Sequence, residues 1–302
     1  MDLISKLTLG TVQFGLPYGI ANQTGRPSYE SLCDILRCAY EGGVRSLDTA
    51  ASYGESEIVL GRALEDLGLR DRMTVMTKIL RRDPWPNSDR EAREWIEKSV
   101  NQSLARLRVN HLSWCLFHTE ADARYLDILL ELKAQGLVEH VGVSVAYGPT
   151  EAGALLESGQ VDALQVAASV LDPRHARAGI ISRASRQGVC VFTRSLYLQG
   201  LLFLPEARIP APLNAVIPVR RALAELAQGA GMTLGELAFR YMLGQPGITS
   251  ILVGVDTREQ MMENLELWKK GPLPADMRPQ VESRVPDLSD DILLPFRWPK
   301  SS

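Results

Sequence analysis

VRSLDTAASYGESEIVLGRALEDLGLRDRMTVMTK, residues 44 to 78, holds one complete structural unit. Val44 to Asp48 is a short β-rich run, Ser56 to Leu67 carries apolar residues at helical spacing, and Met73 to Lys78 (MTVMTK) is a second β-rich run. A strand, a helix and a strand in that order describe a parallel β/α unit. On the amino-terminal side, Leu7 to Val12 reads as a strand. The helix after it is marked by Leu32, Ile35, Leu36, Ala39 and Tyr40, with Ser28 as a cap and Gly42 and Gly43 as its end.

The same alternation runs on towards the carboxyl end. Ile96, Val100, Leu104 and Leu107 mark a helix, Ser113 to Phe117 a strand, Ala123 to Gln135 a helix and Val138 to Val143 a strand. Thr150 to Ser158, Val161 to Val166, Pro173 to Gln187, Val189 to Thr193, Asn214 to Tyr241, Ile248 to Val253 and Arg258 to Trp268 supply the rest. Eight strands, each followed by a helix and with no break in composition, predict an α/β fold: a single (β/α)8 TIM barrel. The open-sheet alternative lacks its fingerprints, since neither G-x-G-x-x-G nor G-x-x-x-x-G-K-[ST] follows a strand. Residues 1–302 are therefore expected to form one barrel domain, with the barrel at about 6–270, an insertion at 197–212 after strand seven and a Pro-rich tail at 271–302.

Composition narrows the function. The 302 residues are 45% hydrophobic and 23% charged, which describes a globular chain rather than a disordered one. Thirty-three Lys and Arg against 36 Asp and Glu give a net charge of -3 with no long run of either sign, so nucleic acid and anionic membrane are not expected partners. No apolar stretch approaches the ~20 residues that span a bilayer, and MDLISKLTLG lacks the pattern of a secretory signal. Cys33, Cys38, Cys115 and Cys190 form no C-x-x-C pair and read as buried apolar residues of a reducing, cytoplasmic compartment. Oligomeric state is not legible.

In a barrel the chemistry lies at the carboxyl ends of the strands. Asp48 ends strand two, Lys78 strand three, His118 follows strand four, Ser144 strand five, and Gln165 lies near the end of strand six; Tyr53 sits in the loop after Asp48. Each alone has an ordinary structural reading, whereas their coincidence at one face suits proton donation to a carbonyl oxygen. A tyrosine titrating near 10 is a poor acid at neutrality, and a neighbouring cation, here Lys78, lowers that value. Asp48 would hold the lysine charged, and a neutral His118 would orient the substrate oxygen. Nothing among the four supplies an electron pair, so an external hydride donor is implied.

These residues resemble the aldo-keto reductase family, from GTVQFG at 10–15 to ENL at 263–265, with LDTAASYGESE at 47–57 as the most specific segment, joined by TKI around Lys78 and LFH ending at His118. The resemblance implies that Tyr53 is the general acid, that Lys78 and Asp48 tune it and that His118 orients the carbonyl. It also implies a nicotinamide cofactor extended across the barrel mouth without a Rossmann domain, with Thr11 and Asp48 at its reacting end. Ser144 and Gln165 match the family's carboxamide partners, although the asparagine expected after the serine is Val145 here. A stacking tyrosine is replaced by Arg194, whose planar guanidinium can also stack, and Ser195 and Leu196 would line the pyrophosphate side.

Around the adenosine phosphate, Thr257, Glu263 and Asn264 match, while a frequent lysine is Gly254 and a usual arginine is Gln260. Arg258 could replace the lost charge, and Asp256 would oppose a phosphate. The family implies NADP(H), with NAD(H) open. The reading is an NAD(P)H-dependent reductase of a small-molecule carbonyl, with a small polar aldehyde or sugar preferred. The rivals are a cofactor-sensing regulatory barrel without turnover and a redox-neutral sugar enzyme. Hydrolase chemistry is disfavoured, because GVSVAYG is not a G-x-S-x-G elbow and no histidine pair has metal-ligand spacing. Phe14, Tyr18, Trp85 and Tyr197 are candidate aromatic walls, and His111 and His140 belong to the opposite face.

Overall fold

The structure, a computed structural model, describes residues 4–20, 22, 25–86 and 88–298. The first three residues of the amino-terminal stretch and the last four of the Pro-rich tail lie outside the described residues. β1 (Leu7–Gly10) leads through a four-residue helix α1 (Val12–Gly15) to α2 (Tyr29–Glu41). Four regular units follow: β2 (Ser46–Asp48) with α3 (Ser56–Asp66), β3 (Thr74–Lys78) with α4 (Asp89–Leu107), β4 (Leu112–Phe117) with α5 (Leu126–Ala134), and β5 (Val138–Val145) with α6 (Pro149–Ser158). β6 (Ala163–Ala167) is followed by α7 (Arg174–Arg177) and α8 (Ile180–Arg186), β7 (Cys190–Arg194) by α9 (Val216–Gly229) and α10 (Leu234–Leu243), and β8 (Ser250–Gly254) by α11 (Arg258–Lys269). α12 (Met277–Glu282) and α13 (Asp290–Leu293) lie in the tail.

The eight strands pair in sequence order, all parallel, and β1 closes on β8. The α/β TIM barrel is thus the observed fold. Helix starts follow from local hydrogen bonding: Ser28, Ser88, Thr233 and Thr257 each accept from the backbone N–H three residues on.

Several boundaries differ from the expectations, and three of them have a clear local reason. Strand one stops at Gly10, because the Thr11 N–H turns to the carbonyl of Asp48 at 2.9 Å. The helix expected over 173–187 is two helices, separated by Gly179 at φ 72°. The helix expected over 214–241 is also two, because Thr233 caps a new start at Leu234.

Inside the barrel the side chains form three levels. At the bottom, Thr8 Oγ1 shares hydrogen bonds with Ser46 Oγ (2.7 Å) and Ser250 Oγ (2.6 Å). In the middle lies an apolar plug of Met76, Trp114, Leu116, Ala163, Phe192 and Leu252. At the top, two residues further along the same strands, are Asp48, Lys78, Gln165, Arg194 and Gly254. The period of two therefore lifts these positions to one face. All four cysteines are free thiols. Among the described residues, no helix is long and apolar enough to cross a membrane and no cluster of ligands suits a metal ion.

Candidate functional site

The centre of the top level is a buried ion pair. Lys78 Nζ donates to Asp48 Oδ1 at 2.7 Å and to the carbonyl of Thr49 at 2.9 Å, with the two side chains 0% and 5% exposed. Gln165 Nε2 donates to the same Asp48 oxygen at 2.7 Å, and Ser144 Oγ donates to Gln165 Oε1 at 3.2 Å. A continuous polar line thus runs from β5 through β6 and β2 to β3. Burial pulls the Lys78 ammonium below the usual lysine range, and the Asp48 carboxylate opposes that pull.

Tyr53 and His118 stand beside this pair. Their rings meet edge to face with centroids 5.7 Å apart, and Lys78 Nζ lies 5.2 Å from the Tyr53 ring centroid. Ser52 Oγ lies 3.2 Å from His118 Nδ1. Burial lowers the His118 imidazole to about 3, helped by the charges of Lys78 and Arg194, so the ring is neutral at physiological pH. A Ser52 hydroxyl that donates to Nδ1 would leave the ring proton on Nε2 and make that nitrogen a hydrogen-bond donor.

The charges that bear most on the Tyr53 phenol are those of Asp48 and Arg194. Burial and then Asp48 push the phenol above its ordinary range, and the cation that pulls it down is Arg194. Backbone fit holds the tyrosine in place: a Cβ on Gly15 would stand 1.7 Å from the Tyr53 carbonyl oxygen, so the loop carrying Tyr53 packs directly on α1.

A groove of about 640 Å³ opens over these residues. Its lining takes Asp48, Gln165, Arg194 and Gly254 from the strand ends, Thr11, Tyr53, Ser195 and Leu196 from the loops that follow strands, and Gln260, Glu263 and Asn264 from α11. Lys78 is buried behind Asp48, Ser144 is buried behind Gln165, and Thr257 is turned to the cap of α11; none of these three lines the groove. His118 also lies outside the lining, in contact with Tyr53.

Arg258 is not on the groove either. It is exposed at the start of α11, and its charge bears on Cys38 of α2, on the outer side of the barrel. Of the aromatic walls, Tyr18 and Tyr197 line the groove, but Phe14 is buried, and Trp85 donates to Asp122 while packing on Phe117 and Tyr125. The insertion does reach the groove through Gln199, Gly200 and Phe203; no described tail residue lines it. His111 is exposed and His140 stacks on Trp114 at 4.2 Å, both at the starts of their strands.

Two departures from the expected pattern turn out to touch. Val145 is buried and offers its carbonyl to the Arg194 guanidinium at 2.9 Å, so the residue that replaces an asparagine anchors the residue that replaces a tyrosine. Two sets of lining residues were not foreseen. Thr233 to Glu236 form a wall whose signal was legible, since T-x-x-E marks a helix start. Gln13 is 8% exposed and leaves its Oε1 without a partner over Gly254; the signal was a lone amide in an otherwise apolar TVQFG.

The comparisons with known proteins agree with this fold. The model of the aldo/keto reductase family matches residues 6–285. D-arabinose 1-dehydrogenase of Saccharomyces cerevisiae is 25% identical over 294 residues, covering 88% of this chain and 84% of that protein. L-glyceraldehyde 3-phosphate reductase of Escherichia coli O157:H7 is 23% identical over 323 residues, covering 94% and 91%. Among solved structures, an aldo-keto reductase from Bacillus halodurans in its holo form superposes with a TM-score of 0.78 at 22% identity, over 96% of this chain and 95% of that one.

Proposed function

The chain belongs to the aldo/keto reductase family, and from that premise we propose that it reduces the carbonyl group of a small polar aldehyde or sugar, with Tyr53 as proton donor. It is an NAD(P)-dependent oxidoreductase, as the family and the reductase-named relatives support. The observation that carries the finer reading is the meeting of Tyr53, His118 and the Lys78–Asp48 pair beside a groove of about 640 Å³ whose lining runs on to α11. The unpartnered amide oxygen of Gln13 inside that groove fits a bound polar molecule, since a buried acceptor without a partner is costly. Two relatives named for arabinose and glyceraldehyde phosphate favour a polar, aldose-like carbonyl. Free cysteines suit a cytoplasmic site of action.

When bound, a reduced nicotinamide supplies the hydride that the chain lacks. Gln165 and Arg194 flank the reacting end of the groove, and Ser195, Leu196, Gln260, Glu263 and Asn264 would hold the remainder. Tyr53 is protonated across the physiological range, because burial and Asp48 hold its proton, and Arg194 moderates that hold. Neutral His118 donates to the substrate oxygen and fixes it for the proton of Tyr53. Lys78 and Asp48 keep the floor rigid and the charges fixed before substrate arrives. Tyr53→Phe is expected to lower kcat by ~10²–10⁴ with dinucleotide affinity nearly unchanged. Steady-state kinetics and a fluorescence titration check it together, and a collapse of binding would remove Tyr53 from the role of acid.

A further inference from the structure

The two ends of the groove differ in charge. Arg194 is the one basic residue among the described residues that line it, and it sits at the Tyr53 end. The α11 end presents Asp256 and Glu263. Of the cations around that end, Lys270 and Arg240 are held by Glu236 of the groove wall at 2.7 and 2.9 Å, Arg26 pairs with Glu55 at 2.8 Å, and Arg258 is exposed at the start of α11 and does not line the groove. Asp256 Oδ1 accepts from Asn22 Nδ2 at 3.0 Å, which fixes the carboxylate without neutralising it.

Gly254, at the tip of β8, brings no side chain to that end, and the Gln13 amide lies 2.6 Å from where a Cβ would stand. Since proton transfer fixes the nicotinamide at the Tyr53 end, the adenosine half must extend towards α11.

We propose that this groove selects the dinucleotide that carries no phosphate on its adenosine ribose, NAD(H) over NADP(H), with Asp256 and Glu263 repelling that phosphate and no cation among the described lining residues there to hold it. The inference rests on the reading that a nicotinamide dinucleotide occupies the groove. A dianionic phosphate placed beside two carboxylates with no guanidinium or ammonium among the described lining residues at that end is disfavoured by like-charge repulsion. Arg194, at the opposite end, serves both dinucleotides equally and so cannot discriminate.

The test is a fluorescence titration of the full-length protein with NADH and with NADPH at one fixed salt concentration. NADH is expected to bind at least tenfold more tightly, a gap of about 1.4 kcal/mol. Asp256→Asn should shrink the ratio by strengthening NADPH more than NADH, since it keeps the shape and removes a charge. Equal or tighter binding of NADPH overturns the selectivity and leaves the reductase reading intact. An unchanged ratio in Asp256→Asn overturns the electrostatic cause. Failure of both nucleotides to bind overturns the reductase reading and the selectivity with it.

Discussion

Ser46 and Asp48 are two residues apart on β2 and face the same barrel interior, yet they belong to opposite kinds of polar layer. At the bottom, Ser46, Thr8 and Ser250 are neutral hydroxyls that satisfy one another. At the top, Asp48 and Lys78 are charges taken out of water, and the layer also holds a tyrosine and a histidine whose proton affinities are displaced. The apolar plug between them keeps the two layers independent. The lesson is that a barrel tolerates interior polarity cheaply when it is neutral and paired, and accepts the charged kind where function requires it.

The sharpest break of this contrast is Lys78→Met, which leaves the buried Asp48 carboxylate without its counter-charge, with the Gln165 amide still donating to it. It is expected to cost about 3–5 kcal/mol of stability in a urea unfolding curve and to abolish turnover. Adding Asp48→Leu should recover most of that stability while activity stays absent. A double variant as unstable as the single one would mean that the ion pair stabilises the fold outright.

The next test uses acid. His118 titrates near 3 in the folded chain against an ordinary ~6.5. Below pH 6.5 the unfolded chain takes up the proton and the folded chain does not, so stability falls as pH drops from 6.5 towards 3. His118→Gln should flatten part of that decline in denaturation curves at pH 7, 5 and 4. His175, lowered by burial to about 4, supplies another part and is untouched by the change.

The smallest effect belongs to the bottom layer. Ser46→Ala removes one member of the hydroxyl set and is expected to cost about 1 kcal/mol with kcat unchanged. A change in kcat would show that the plug transmits strain between the layers.

Much of this was legible in the chain, for unequal reasons. The eight strands and the residues at their ends follow from period-two apolar runs, which depend only on neighbours in sequence. The breaks at Gly179 and before Thr233 were masked because helical spacing continued on both sides of a short turn. Trp85 was misread as a wall because its partner, Asp122, is supplied by a different loop. The charge balance around Tyr53 was the least accessible, since it depends on how Asp48 divides its acceptance between Lys78 and Gln165.

The fit between Gly15 and the carbonyl of Tyr53 sets a limit on how this enzyme can change. With no room for one methyl group, residue 15 is closed to every other amino acid unless the tyrosine loop moves. At the groove's edge, Phe203 is 49% exposed and has no such neighbour to displace. A library built to alter the substrate would therefore find its survivors around residue 203, and its dead ends at residue 15.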